Sequence, residues 1–316
     1  MKMVVLGSDG LVGASLMRTI KSHEIDLIGV GRSRADLTDP EAVRDLLLGE
    51  KPDWVVLAAA KVGGIRANME HPVSLLNDNL RITLSVLEAI FQLGNCGLVY
   101  IGSACSYPKL AEQPIKEDLL LRGPLEVTNE SYALSKIVGM KLCEAYNREH
   151  HTDFRILMST NLYGPEDRFG SDASHVIPAL VTKFHTAKIK AEKVVEVWGS
   201  GQVFRDFLYV DDLSRAIELV LSITKSQWSN TVASPTCSHV NVGSGSEVSI
   251  ASIAEIIRNI VGFRGKIHFD ESKPDGMKRR ILDNSRINSL GWRPAFSLEE
   301  GIRKTYRAYL ATQALE

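Results

Sequence analysis

The chain has 316 residues, with 37 Lys plus Arg against 38 Asp plus Glu and 44% hydrophobic side chains. That length exceeds the roughly 100–200 residues of a typical domain, which excludes a small stapled scaffold and leaves a large α/β unit with an added lobe. The balanced charge excludes the polycation that long nucleic acid requires, but not a small anionic ligand held by a few local cations.

Short β-rich runs alternate with longer helical patterns through the first half, the mark of βαβ units and a parallel sheet. The expected elements are a strand at residues 3–6, a helix at 11–22, a strand at 27–30, a helix after Asp39-Pro40 and a strand at 54–57. A helix at 71–93, a strand at 97–101, a helix at 130–150 and a strand at 154–159 continue the series. Beyond Asn161, Gly-Pro, Gly-Ser-Gly and Lys-Pro-Asp-Gly punctuation breaks the rhythm. The expectation is therefore an α/β fold: a Rossmann-like, doubly wound parallel sheet over residues 1–160 with a smaller, interleaved C-terminal α/β lobe over 161–316. Strands are expected to return to the sheet at about 203–220 and 238–243.

The four cysteines, Cys96, Cys105, Cys143 and Cys237, are dispersed, with no C-x-x-C and no zinc-clipping pattern. The apolar run before Gly7 is too short for a signal-peptide core, and no later run approaches a membrane span. A cytoplasmic protein with no metal, membrane or nucleic-acid partner is expected.

Gly7-Ser8-Asp9-Gly10-Leu11-Val12-Gly13 follows the first strand and opens the first helix. Glycines let the backbone approach a diphosphate, and the helix N-terminus offers unpaired N–H groups, so this turn is expected to bind a dinucleotide. An acidic residue after the second strand would select NAD through the ribose 2′-OH; the chain instead reads Gly31-Arg32-Ser33-Arg34, which favours NADP(H) with Arg32 on the 2′-phosphate. Arg34 reads equally as a solvated loop residue, and the Asp9 carboxylate counts against a 2′-phosphate.

Tyr132 and Lys136, one helical turn apart, project from one face, where an ammonium can bring a phenol towards the working range of a proton shuttle. Gly102-Ser103-Ala104-Cys105 ends the preceding strand, at the sheet edge where such folds bind ligands. Nucleotide turn, Ser103 and Tyr132-x-x-x-Lys136 in this order resemble the extended short-chain dehydrogenase/reductases, which act on nucleotide sugars.

Further runs resemble the GDP-L-fucose synthase family. They are Ala58-Ala59-Ala60-Lys61-Val62-Gly63-Gly64-Ile65, Gly102-Ser103-Ala104-Cys105-Ser106-Tyr107-Pro108-Lys109, Thr160-Asn161-Leu162-Tyr163-Gly164-Pro165 and Ser174-His175-Val176-Ile177-Pro178-Ala179-Leu180. Trp198-Gly199-Ser200-Gly201, Arg205-Asp206-Phe207 and Lys273-Pro274-Asp275-Gly276 extend the likeness over nearly the whole chain.

The resemblance implies a reductase triad of Ser103, Tyr132 and Lys136, and an epimerisation acid/base pair of Cys105 and His175. It places Lys136, Asn161, Leu162, Tyr163, Gly164 and His175 beside the cofactor, and Lys183, Trp198, Arg205 and Asp275 on the GDP-sugar, with Arg280 expected as an extra phosphate contact. The implied reaction is 3,5-epimerisation and NADPH-dependent 4-reduction of GDP-4-keto-6-deoxy-D-mannose, or of a close GDP-sugar on a colitose or heptose route. Protons at C3 and C5 flank the C4 ketone and are acidified by it, and a thiolate and an imidazole titrate close enough to neutrality to remove and return them. An NAD-dependent 4-epimerase would need no such pair, a 4,6-dehydratase would need carboxylates that Ala104-Cys105-Ser106 does not offer, and a non-catalytic nucleotide binder would not need the triad. The helices at 71–93 and 130–150 resemble those that pair into a homodimer interface in this superfamily.

Overall fold

Hydrophobic alternation sets the layers. The computed structural model describes residues 1–170, 174–273, 275 and 277–314, with the side chains of 65–67 also outside the description; Pro274, Gly276 and the Ile65 side chain of the motifs above therefore lie outside the described residues. In β1 (Lys2–Leu6), Val4 and Leu6 enter one core while Met3 and Val5 enter another, because successive strand residues face opposite sides. Then follow α1 (Leu11–Thr19), β2 (Asp26–Val30), α2 (Pro40–Glu50), β3 (Trp54–Leu57), α3 (Ile65–Glu70), α4 (Pro72–Leu93), β4 (Gly97–Ser103), α5 (Glu130–His150) and β5 (Phe154–Ser159). The Asp39-Pro40 signal acts as read: Pro40 opens α2, and the Asp39 carboxylate accepts from the Glu41 and Ala42 N–H groups.

The second half supplies β6 (Asn161–Tyr163), α6 (Val176–Ile189), β7 (Val194–Trp198), β8 (Phe204–Arg205), β9 (Phe207–Tyr209), α7 (Val210–Ser222), α8 (Lys225–Thr231) and β10 (His239–Val242). It ends with β11 (Val248–Ser249), α9 (Ile250–Val261), β12 (Lys266–Asp270), β13 (Arg279–Arg280), α10 (Ser285–Ser289) and α11 (Leu298–Gln313).

Six parallel strands form the main sheet in the order β10-β5-β4-β3-β1-β2. The winding reverses at β1, which has β2 on one side and β3 on the other. A crevice therefore opens outside the carboxyl ends of β1 and β3, where ligands of open α/β sheets bind. Helices α2, α4 and α5 cover one face, and α1 and α7 the other. A further core, built from α6, α9, α11, β7 and β9, lies beyond the carboxyl edge in sequence and carries the later motifs.

One expectation is corrected. The segment at 238–243 does return a strand, β10, but 203–220 does not. It forms β8 and β9, which pair outside the main sheet, and then α7. The reason lies in Leu213, Ala216, Ile217 and Val220, whose spacing makes an apolar helical face that packs on the sheet beside α1. Among the described residues no helix is long and apolar enough to cross a membrane.

Candidate active site

The glycine turn is shaped by backbone contact. Gly7 has φ +91°, and a Cβ there would lie 2.7 Å from the Ala59 backbone; one on Gly13 would lie 2.1 Å from the Gly7 carbonyl oxygen. The Gly7 N–H donates to the Val30 carbonyl at 2.8 Å, tying the turn to the end of β2. Gly10 is the N-cap of α1 and no side chain caps that helix, so its first-turn N–H groups are free of side-chain acceptors. A Cβ on Gly10 would meet only the Gly7 oxygen, at 3.4 Å. The cradle thus fits an anionic diphosphate.

Asp9 leans over the next loop, where a Cβ on Gly31 would sit 1.9 Å from its Oδ2. Arg34 is committed to Glu50 and donates to the Gly29 carbonyl at 3.3 Å. Arg32 is exposed on the same loop, where its charge reaches Asp36.

At the carboxyl end of β4 the chain tightens into a single 3₁₀ turn, Ala104–Ser106, capped by the Ser103 Oγ, which accepts the Cys105 N–H at 3.4 Å. Tyr132, in the first turn of α5, lies close enough to Ser103 and Cys105 for both to act on its phenol. Burial first and Cys105 second push the phenol well above its ordinary range, against the opposing effect of Ser103. The Lys136 ammonium donates to the Ile101 carbonyl at 2.9 Å and sits 5.1 Å from the centre of the Tyr100 ring. Burial lowers it to about 8. Here the expectation is corrected: the influences on the phenol are burial, Cys105 and Ser103, not Lys136, which is turned to a carbonyl. Tyr132 therefore holds its proton at neutral pH, as a proton donor requires.

His175 is the N-cap of α6 with no capping side-chain bond, and together with Asn161, Leu162, Tyr163 and Arg205 it lines a cavity of about 70 Å³. Desolvation and the nearby Arg168 hold its imidazole below the usual range, so it is neutral at pH 7. Asn161 Nδ2 donates to the Asp206 carbonyl at 3.0 Å, which fixes the start of β6. The Tyr163 ring is buried in the C-terminal core and its hydroxyl donates to the Leu298 carbonyl at 3.2 Å, so its backbone is the part left for a ligand. Gly164 packs against Val210, whose Cγ1 would lie 2.4 Å from an added Cβ.

Arg205 joins the two clusters. It lines the His175 cavity, and the Cys105 charge acts on it. Its strand neighbour is Arg280, a register partner across the β8–β13 pair. Arg280 is 6% exposed, with its Nε unpaired and its Nη2 2.9 Å from the Met277 sulfur. Burial, then Arg280, lowers the Arg205 guanidinium to about 10, against the opposite pull of Cys105 and Asp275. Among the described residues neither arginine forms an ion pair: Arg205 donates from Nη1 to the Phe204 and Met277 carbonyls, and Arg280 is buried without an anion, which is costly.

Trp198 is 64% exposed, with the Lys183 ammonium 5.4 Å and the Lys273 ammonium 5.8 Å from its ring. An exposed indole flanked by two cations is not core packing. Asp275 accepts the Ser200 N–H at 2.9 Å and the Ser200 hydroxyl at 2.6 Å. It thus locks the turn after β7, a role that its expected place on ribose or guanine donors did not include.

Two residues were not singled out from the sequence. Lys273 completes the cation pair on Trp198, and the Asn129 amide donates to the Cys105 sulfur at 3.7 Å. Neither has a local signal, since each acquires its partner only through the fold. A larger cavity of about 380 Å³, lined by Pro114, Ser244, Asn284 and Arg293 among others, touches none of the residues above.

Comparison with known proteins matches residues 3–243 to the NAD dependent epimerase/dehydratase family. The chain is 46% identical over 310 residues to a GDP-L-fucose synthase of Sinorhizobium fredii, covering 98% of this chain and 96% of the relative. It is 43% identical over 313 residues to the GDP-L-fucose synthase of Escherichia coli, covering 99% and 97%. Among solved structures, a GDP-mannoheptose C4 reductase from Campylobacter jejuni with NADP bound superposes with a TM-score of 0.88 at 34% identity, covering 98% of each chain. The chain belongs to the NAD dependent epimerase/dehydratase family and, within it, to the GDP-L-fucose synthases.

Proposed function

We propose that this chain converts GDP-4-keto-6-deoxy-D-mannose to GDP-L-fucose, by epimerisation at C3 and C5 followed by NADPH-dependent reduction at C4. The observation that carries the reading is the meeting of Ser103, Cys105 and Tyr132 at the carboxyl ends of the strands, with Arg205 linking that cluster to His175. The Cys105 thiolate takes the proton α to the ketone, the C–H electrons pass into an enolate, and an acid returns a proton on the opposite face. His175 fills the acid role: burial first and Arg168 second hold its imidazole neutral in the free protein, and the negative charge of the bound diphosphate favours its protonated form.

For the reduction, Ser103 holds the C4 oxygen and Tyr132 delivers its proton. The Gly7-to-Gly13 turn, Arg32, Lys136 and the backbone of residues 161–164 would hold NADPH, which when bound supplies the hydride. Arg205 and Arg280 take the GDP diphosphate, Trp198 with Lys183 takes the base or ribose, and Asp275 keeps their turn in place. The core built from α6, α9 and α11 thereby acts as a substrate lobe.

A second reading, another GDP-4-keto sugar such as a heptose or colitose precursor, draws support from the heptose-active relative. Exposed Leu84, Phe91, Leu134 and Val138 on the packed pair α4 and α5 support a homodimer. Four unpaired cysteines fit a reducing cytoplasm. The test is to add GDP-4-keto-6-deoxy-D-mannose to the protein with NADPH and follow NADPH loss and GDP-L-fucose formation. A folded protein that binds NADPH and leaves this substrate unchanged would refute the reading.

A further inference from the structure

We propose that Asn129 is a positioning residue that presents Cys105 to the substrate as a hydrogen-bonded thiolate. The inference rests on the reading of Cys105 as the epimerisation base and adds the group that prepares it.

Asn129 is the N-cap of α5, the helix that carries Tyr132 and Lys136. Asparagine is among the residues that best cap a helix through the side chain, yet no side-chain cap bond forms here. The amide is turned away from its own helix and donates from Nδ2 to the Cys105 sulfur at 3.7 Å. The cap is left unmade while a contact to a sulfur 24 residues away in sequence is kept. A thiolate is a far better acceptor than a thiol, so an N–H aimed at sulfur favours the ionised form.

The surroundings act in the same sense. Ser103 fixes the Cys105 backbone by accepting its N–H, so the sulfur has a set direction. Cys105 stands at the N-terminal end of α5, the positive end of the helix dipole, contacted there by Asn129 and felt by Tyr132. Among the described residues, the titratable groups that sense it are Tyr132 from α5 and Arg205 from β8. Tyr132 keeps its proton and is neutral, and Arg205 is cationic. Asn129 serves the proton abstraction and has no part in hydride delivery, which belongs to Ser103 and Tyr132.

The experiment compares Asn129→Asp and Asn129→Ser with the parent, all carrying Cys237→Ser so that iodoacetamide reports on Cys105; Cys96 and Cys143 are buried. Asn129 makes no side-chain cap bond, so neither variant removes a cap, and Asp and Ser are both well accepted at helix N-caps. Asp places a carboxylate where the donor stood, and Ser is too short to reach the sulfur. For both variants the expected result is alkylation of Cys105 slowed about tenfold or more at neutral pH, with the half-maximal rate reached at higher pH. Solvent-deuterium incorporation at C3 and C5 falls by a similar factor, while NADPH affinity and the unfolding midpoint stay at the parent values. A merely structural role would lower the midpoint and leave the alkylation profile in place. Unchanged alkylation profiles and exchange in both variants overturn the proposal, as does loss of folding in both. If Cys105→Ser exchanges deuterium like the parent, the reading of Cys105 as base fails, and this is seen separately from the Asn129 result.

Discussion

Two glycines of one turn separate steric from ligand-binding roles. In Gly13→Ala the new methyl would meet the Gly7 oxygen at 2.1 Å, the Gly7 carbonyl carbon at 2.7 Å and the Ser8 Cα at 2.7 Å, all backbone atoms with no side chain to yield. Overpacking of this kind costs up to about 3 kcal/mol, and exchanging Gly for Ala inside a helix returns about 1, so a net loss of about 2 kcal/mol is expected. The turn must also shift by about 1 Å to restore contact distances, which misaligns the N–H groups that meet the diphosphate. Losing one bond to a charged group, about 1.5–3 kcal/mol, raises the NADPH dissociation constant roughly 10- to 150-fold. Gly10→Ala behaves differently: its methyl meets nothing closer than 3.4 Å and its φ of −91° suits alanine. It should unfold close to the parent yet bind NADPH poorly, because the methyl occupies the open face where the diphosphate lies. Chemical unfolding without cofactor and a fluorescence titration with NADPH read the two effects independently. A Gly13→Ala protein as stable as the parent refutes the steric argument, and a Gly10→Ala protein of unchanged affinity refutes the placement of the diphosphate.

Tyr132→Phe should lower NADPH oxidation by about 10²- to 10⁴-fold while deuterium still enters C3 and C5; undiminished reduction would remove Tyr132 as donor. Arg280→Met should raise the thermal midpoint, because a buried cation beside Arg205 is gone, and raise the KM for the GDP-sugar by roughly 10- to 100-fold. An unchanged KM would take Arg280 out of the diphosphate site. Burial lowers His239 to about 3, so this imidazole stays neutral in the native protein while it is free to take a proton once unfolded. Its contribution to stability is complete above pH 6.5 and is lost as pH falls towards 3, by about 1.4 kcal/mol per unit. Asp206, raised to about 6 mainly by burial, works with the opposite sign, so the diagnostic quantity is the difference between His239→Gln and the parent. That difference should shift in favour of the variant between pH 6 and 4, as read by urea unfolding at each pH; a constant difference would show that the neutral state of His239 is misassigned.

Much of the fold was legible because its information is local. Residues 130–150 and 154–159 were read as a helix and a strand with the bounds they have in the structure, and the Asp39-Pro40 start signal behaves as cap chemistry requires. The glycine turn and Ser103 are placed at the ligand edge by their positions at strand ends, and Tyr132 and Lys136 join them through the family resemblance. The reading failed where partners are distant. Residues 203–220 carry short strand-like runs whose pairing depends on β6, β11 and β13, and nothing local says that they stay out of the main sheet. Lys136 faces a carbonyl 35 residues away, and the Tyr163 hydroxyl one 135 residues away.

The sequence by itself thus determined the α/β class, the local βαβ units and the dinucleotide turn, since these depend on residue type and short spacing, while its likeness to a known family supplied the inventory of site residues. Only the tertiary structure decided which inventory members act together. It set Arg280 beside Arg205 through strand register, laid Lys183 and Lys273 on Trp198, and turned the Asn129 amide from its helix to the Cys105 sulfur. Such contacts join residues far apart in the chain, and the energy that selects them comes from burying the cores around them, which no local pattern encodes.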